Sequence, residues 1–169
     1  MLERRPPEPS HVKRPRRARG ALPSSELITK EFLTLLPAIV HDLLPEDLSD
    51  FKVRGPVFSL VGFYYAEDPR VHYEVWIQRR TSRLEIGLHF EAEPEVNSRW
   101  LQYFSTRAPE ILARLGPSVE GEQWTQRWTR LHESLPLAPL TPGYAEQVAR
   151  RIADFIHVLE PMRREHEEP

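Results

Sequence analysis

Six residues in the stretch VHYEVWIQRRTSRLEIGLHFE (71–91) are of types that do chemistry: His72, Glu74, Trp76, Glu85, His89 and Glu91. Neutral imidazole and ionised carboxylate are ligands for zinc, manganese and iron. A carboxylate beside a metal-bound water can also act as its general base. An aromatic ringed by polar groups equally suits recognition of a partner. The i, i+2 spacing puts His72, Glu74 and Trp76 on one side of an extended chain, and Glu85, Gly87, His89 and Glu91 on one side of another.

The elements that must carry them follow from the apolar residues in between. Leu84, Ile86, Leu88 and Phe90 alternate strictly with the polar set, and Val71, Tyr73, Val75 and Ile77 do the same upstream. Period 2 over eight residues marks a strand with one buried face, and RRTSR between the two runs is a short polar connection, so the pair reads as a hairpin. Centring the turn on Thr81-Ser82 sets Ile77 opposite Ile86, Trp76 over Gly87, Glu74 opposite His89 and His72 opposite Glu91. Directly opposed residues have Cβ atoms about 5 Å apart, so each His would meet a carboxylate.

Three uses of this face follow. It is a solvated or covered surface whose His–Glu pairs add a few tenths of a kcal/mol each. Or it is the ligand- or partner-binding site of a non-catalytic module, formed by His72, Glu74, Trp76, Glu85, His89 and Glu91. Or it is a site in which His72, His89 and Glu91 hold a divalent metal such as zinc or manganese, with Glu74 as general base of a hydrolase or nuclease. The binding module is the preferred reading, with no cofactor, because HExxH and other established metal spacings are absent. The chain also lacks a phosphate-cradling glycine loop and a GxSxG nucleophile elbow. No Lys follows Glu74 or Glu85 as restriction-type nucleases require; the three lysines are Lys13, Lys30 and Lys52.

Composition bounds the rest. With 169 residues, 40% hydrophobic and 28% charged, the chain suits one globular domain. Zero cysteines exclude disulfides, thiol catalysis and Cys-ligated metal. No apolar run approaches the roughly 20 residues of a membrane span, and the opening MLERRPPEPSH has no apolar core of a secretory signal. The expected compartment is the cytoplasm.

Residues 1–24 read as a disordered arm rich in Pro and Arg, with seven basic against two acidic residues. That net +5 leaves −7 on residues 25–169, from the total of −2. The arm's Lys13, Arg14, Arg16, Arg17 and Arg19 are the candidate nucleic-acid contacts; an acidic body would leave such binding to the arm alone. Ser24 and Ser25 offer a cap for a helix over 26–44, with a kink expected at Pro37. PEDLSDFKVRGP reads as a loop and VFSLVGFYY (57–65) as one strand. After the hairpin, residues 92–116 read as helical, bent or split at Pro109. GEQWTQRWTRLHESL returns as a strand, and a last helix opens at Thr141-Pro142 and stops at Pro161.

The expected fold is α+β in the order α-β-β-β-α-β-α, an antiparallel sheet of about four strands with helices mainly on one face. It comprises one domain over 25–162, with a frayed tail at 163–169. A protein partner or self-association is the expected interaction, with nucleic acid through the arm as the alternative and no membrane.

Overall fold

The computed structural model describes residues 25–167; the basic arm at 1–24 lies outside them. Its elements, in order, are α1 (Thr29–Leu43), β1 (Lys52–Val57), β2 (Leu60–Tyr64), β3 (Val71–Gln78), β4 (Arg83–Phe90), α2 (Pro94–Thr106), α3 (Ala108–Leu115), β5 (Glu120–Gln123), β6 (Thr129–Pro136) and α4 (Pro142–Glu167). Six strands form one antiparallel sheet in the order β1-β2-β3-β4-β6-β5. The fold class is α+β. Among the described residues, no helix is long and apolar enough to cross a membrane.

One parity of β2, β3, β4 and β6 builds the core. Val61, Phe63, Tyr73, Val75, Ile77, Leu84, Ile86, Leu88, Phe90 and Leu131 share a single buried cluster with residues of all four helices. Leu36 and Val40 of α1, Phe104 of α2, Ile111 of α3 and Ile152 and Phe155 of α4 are all essentially water-free. The helices therefore cover one face, and the opposite parity of the strands faces away from them. Inside the covered layer, Glu160 of α4 is fully buried. It accepts the Tyr73 hydroxyl at 3.1 Å and the Arg163 guanidinium at 2.9 and 2.7 Å, as a buried charge requires.

Two sequence expectations merged strands that the structure separates, giving six strands in place of about four. The segment read as a loop carries β1, and the single strand expected over 57–65 is instead the end of β1, a tight turn at Phe58-Ser59 and β2. β1 lacks alternation and holds Gly55 and Pro56; it is an edge strand, where a missing N–H costs no ladder bond. The strand expected around Trp124 and Trp128 is a second hairpin, β5 and β6, with both Trp in its loop.

The helix ends differ too. No serine caps α1: the Glu31 carboxylate accepts the Ile28 N–H at 3.1 Å, and the helix continues through Pro37. The split between α2 and α3 falls at Arg107, so Pro109 lies in the first turn of α3. Thr141 does cap α4, its hydroxyl accepting the Tyr144 N–H at 3.1 Å. Pro161, however, does not stop that helix, which runs to Glu167 and buries Met162 and Arg163 rather than fraying. A proline removes one hydrogen bond, and the apolar burial on either side of it outweighs that loss.

Candidate functional site

The hairpin forms, but two residues out of the expected register. Arg79–Thr81 make a short 3-10 turn closed by Ser82 in the left-handed region, at φ 52°. The pairs are then Ile77 with Leu84, Trp76 with Glu85, Glu74 with Gly87, and His72 with His89. A shift of two keeps every side chain on its face, so the same six residues still share the helix-free side. Neighbours change: His72 lies against His89, not Glu91, and Gly87 faces Glu74, not Trp76. The need for glycine comes from β6, because a Cβ on Gly87 would sit 2.7 Å from the Leu131 carbonyl oxygen.

Cross-strand rows organise this face. One runs Leu60, Trp76, Glu85, Ser134; the next runs Arg54, Gly62, Glu74, Gly87, His132, Glu120; a third sets His72, His89, Arg130 and Glu122 side by side. His72, Glu74, Glu85 and His89 are buried to 5% exposure or less, although no helix lies above them. They cover one another, and the β5–β6 loop folds over their edge. Trp124 of that loop meets His89 edge-on at 5.8 Å and takes the Arg130 guanidinium over its ring at 4.8 Å.

Arg130 is the hub. Its Nη1 donates to both Glu85 oxygens at 2.9 Å, while Nη2 and Nε donate to Glu122 at 2.6 and 3.1 Å. Gln78 supplies Glu85 with a further bond at 2.9 Å. Burial alone would raise the Glu85 carboxyl, but the His89, Arg130 and His132 side chains outweigh it and hold it below the usual range. Glu74 follows the same pattern: burial opposes its charge, while His72 and His89 favour it and win. The His132 pKa is lowered too, chiefly by burial and then by the Arg130 charge, which favours its neutral form.

The histidines are less well satisfied. His72 Nδ1 lies 2.9 Å from the Pro69 carbonyl, which only accepts, so Nδ1 carries a proton. Nε2 then faces Glu74 Oε2 at 3.4 Å. The His72 and His89 rings stack at 5.6 Å and 18°. His89 Nε2 is 3.2 Å from Glu85 Oε1 but off the line of a hydrogen bond, leaving both ring nitrogens of this buried side chain without a partner. Donor atoms of His72, His89 and half-buried Glu91 lie within 4.8 Å of one another.

Sequence reasoning missed Arg130, His132, Glu122 and Trp124 as members of this face. The parity of Arg130 and His132 was visible, but their strand could not be assigned to the β4 edge without knowing the sheet order. Beside the buried cluster, Trp76 stays half-exposed and floors a groove of about 610 Å³ lined also by Ser59, Gln78, Arg79, Arg80 and Thr81. A second hollow adjoins it at Arg79 and brings in Ile28, Lys30 and Phe58. Phe58 is 95% exposed at the β1–β2 turn, with φ 52°. No family model, curated protein or solved structure matches the chain.

Proposed function

We propose that the protein is a non-catalytic binding or adaptor module that captures an acidic protein segment at the β3–β4 turn end of its sheet. The observation that carries this is the Trp76 groove. A half-buried indole and an almost fully exposed Phe58 flank Arg79 and Arg80 at the β3–β4 turn end of the sheet, where Arg79 also donates to Thr29 in the first turn of α1. Apolar anchors ringed by guanidinium suit a partner carrying apolar and acidic residues. The buried residues His72, Glu74, Glu85 and His89 serve as the frame that fixes Trp76, while Trp76 and the rim make contact.

The same cluster argues against proton-transfer catalysis. A general base works best with a pKa near the working pH, yet Glu74 and Glu85 are both held below the ordinary carboxylate range. A metal-dependent hydrolase using Glu74 as base is the second reading, favoured only by the approach of His72, His89 and Glu91. The basic arm, with Lys13, Arg14, Arg16, Arg17 and Arg19, is a third: a tether to nucleic acid, lost on deletion of residues 1–22 and weakened by salt. The cysteine-free composition is consistent with the cytoplasm as the compartment.

The test is site-specific photo-crosslinking in cells, with a benzophenone side chain at Ser59 and, as control, at exposed Arg150 on α4. A discrete adduct from Ser59 alone, its partner acidic and its yield cut at least tenfold by Trp76→Ala or Arg80→Glu, is expected. Equal yields from both positions, or no effect of either substitution, would sink the reading.

A further inference from the structure

Beyond partner capture, we propose that His72, His89 and Glu91 form a binding site for one divalent transition-metal ion of the zinc type. Two imidazoles and one carboxylate are a recurrent ligand set for such ions. Three independent features of the structure point to a cation at this place.

The first is spacing. His72 and His89 are directly paired across β3 and β4, and Glu91 follows His89 by two residues, so all three lie on one side of the sheet. Their donor atoms already lie within 4.8 Å of one another. Bonds of about 2.0–2.1 Å in a tetrahedral site need donors roughly 3.4 Å apart, so closing the site requires small turns of the His72 and His89 rings as well as rotation of half-buried Glu91.

The second is the state of the two rings. His72 gives its Nδ1 proton to the Pro69 carbonyl, the outer-sphere bond that fixes a ligating imidazole and leaves Nε2 as a lone pair. That nitrogen stands 3.4 Å from the Glu74 carboxylate, a long contact that leaves it free to turn to a cation. His89 is 1% exposed, and neither of its nitrogens has a hydrogen-bond partner. Unpartnered buried polar atoms are costly, and a bound cation would satisfy one of the two His89 nitrogens.

The third is charge. Glu74, Glu85 and Glu122 crowd this layer, with Glu91 at its edge; the nearest guanidinium, Arg130, is committed to Glu85 and Glu122, and Arg83 to Ser134. Glu74 faces His72 at 3.4 Å as its neighbouring carboxylate.

The experiment uses the full-length protein, stripped with a chelator and titrated with Zn(II) and, separately, Co(II). Three readouts are followed: calorimetric stoichiometry, the visible absorption of bound Co(II), and the melting temperature. One equivalent of Zn(II) should bind and raise the melting temperature, as any ligand selective for the folded state must. His89→Gln and Glu91→Gln should each weaken binding more than tenfold. Glu91 is half-buried, so its variant keeps the test decisive even if His89→Gln fails to fold. Absence of Zn(II) and Co(II) binding to wild type at micromolar concentrations would overturn the proposal. So would binding that persists in Glu91→Gln but is lost in His132→Gln, which would put the ion on the His132–Glu122 pair.

Discussion

Replacing the Gly87 hydrogen by a methyl would set a carbon 2.7 Å from the Leu131 carbonyl oxygen and 2.9 Å from His132 Cβ. Backbone on the far side of that contact cannot rotate away, so β6 must move. Gly87→Ala should cost about 1–3 kcal/mol in urea unfolding. Gly62→Ala is its control: the nearest atoms lie 3.7 Å from the added carbon, and that variant should be neutral or slightly stabilising. Equal losses at the two positions would show that close approach is not what selects Gly87. A second residue-scale prediction concerns Glu133, buried and bridged by Arg151 at 2.6 and 3.1 Å. Burial works against its charge, but bonds from Arg151 and Ser118 prevail and depress its pKa. A group depressed in the folded state adds stability in full above its unfolded value, near 4.3, and loses it as pH falls through the folded one. Arg151→Ala should therefore lower stability by about 3 kcal/mol at pH 7, a gap that narrows by roughly pH 3. A gap independent of pH would assign the loss to packing against Phe155 instead.

At the scale of elements, the last turns of α4 are the sharpest departure from expectation. A chain stopped at Pro161 would leave Met162 and the residues after it to fray, and substitutions there would fall within about 0.5 kcal/mol of wild type. Instead Met162 is 3% exposed within the core, its carbonyl accepts the Tyr103 hydroxyl at 2.8 Å, and Arg164 donates to the Asp47 carbonyl at 2.9 Å. Met162→Ala should thus destabilise by about 2–4 kcal/mol in thermal or urea unfolding. A change below about 0.5 kcal/mol would mean that the helix does end at the proline. The β5–β6 hairpin makes a related point. Its loop contributes the ring that shelters His89, so an element with little apolar alternation of its own closes the polar layer.

At the scale of the molecule, what was readable in the sequence was what depends on parity. Alternation assigned His72, Glu74, Trp76, Glu85, His89 and Glu91 to one face, and a slip of two in register left that assignment intact. The pairings did not survive the slip, because the turn residues RRTSR carry no Asn-Gly or Asp-Gly to fix the turn type. Edge strands were unreadable for a similar reason. β1 and β5 are mostly exposed, so nothing forces their residues to alternate. Arg130 could not be placed in the site at all, since which strand borders β4 is a property of the chain path and not of any local pattern.

That path has a kinetic consequence. β1 to β4 pair in succession, each with its sequence neighbour, but β4 next pairs with β6, and residues 91–128, with α2, α3 and β5, lie between them. Bringing these two strands together closes by far the longest loop in the sheet, and that entropy is spent before the contact rewards it. The β4–β6 seam is then the step that limits folding. Destabilising changes on it, such as Gly87→Ala, should slow refolding. Equally destabilising changes confined to α4's last turns should mainly speed unfolding. Stopped-flow chevrons of Gly87→Ala and Met162→Ala, read side by side, separate the two, and a shared effect on the unfolding arm alone would place the barrier elsewhere.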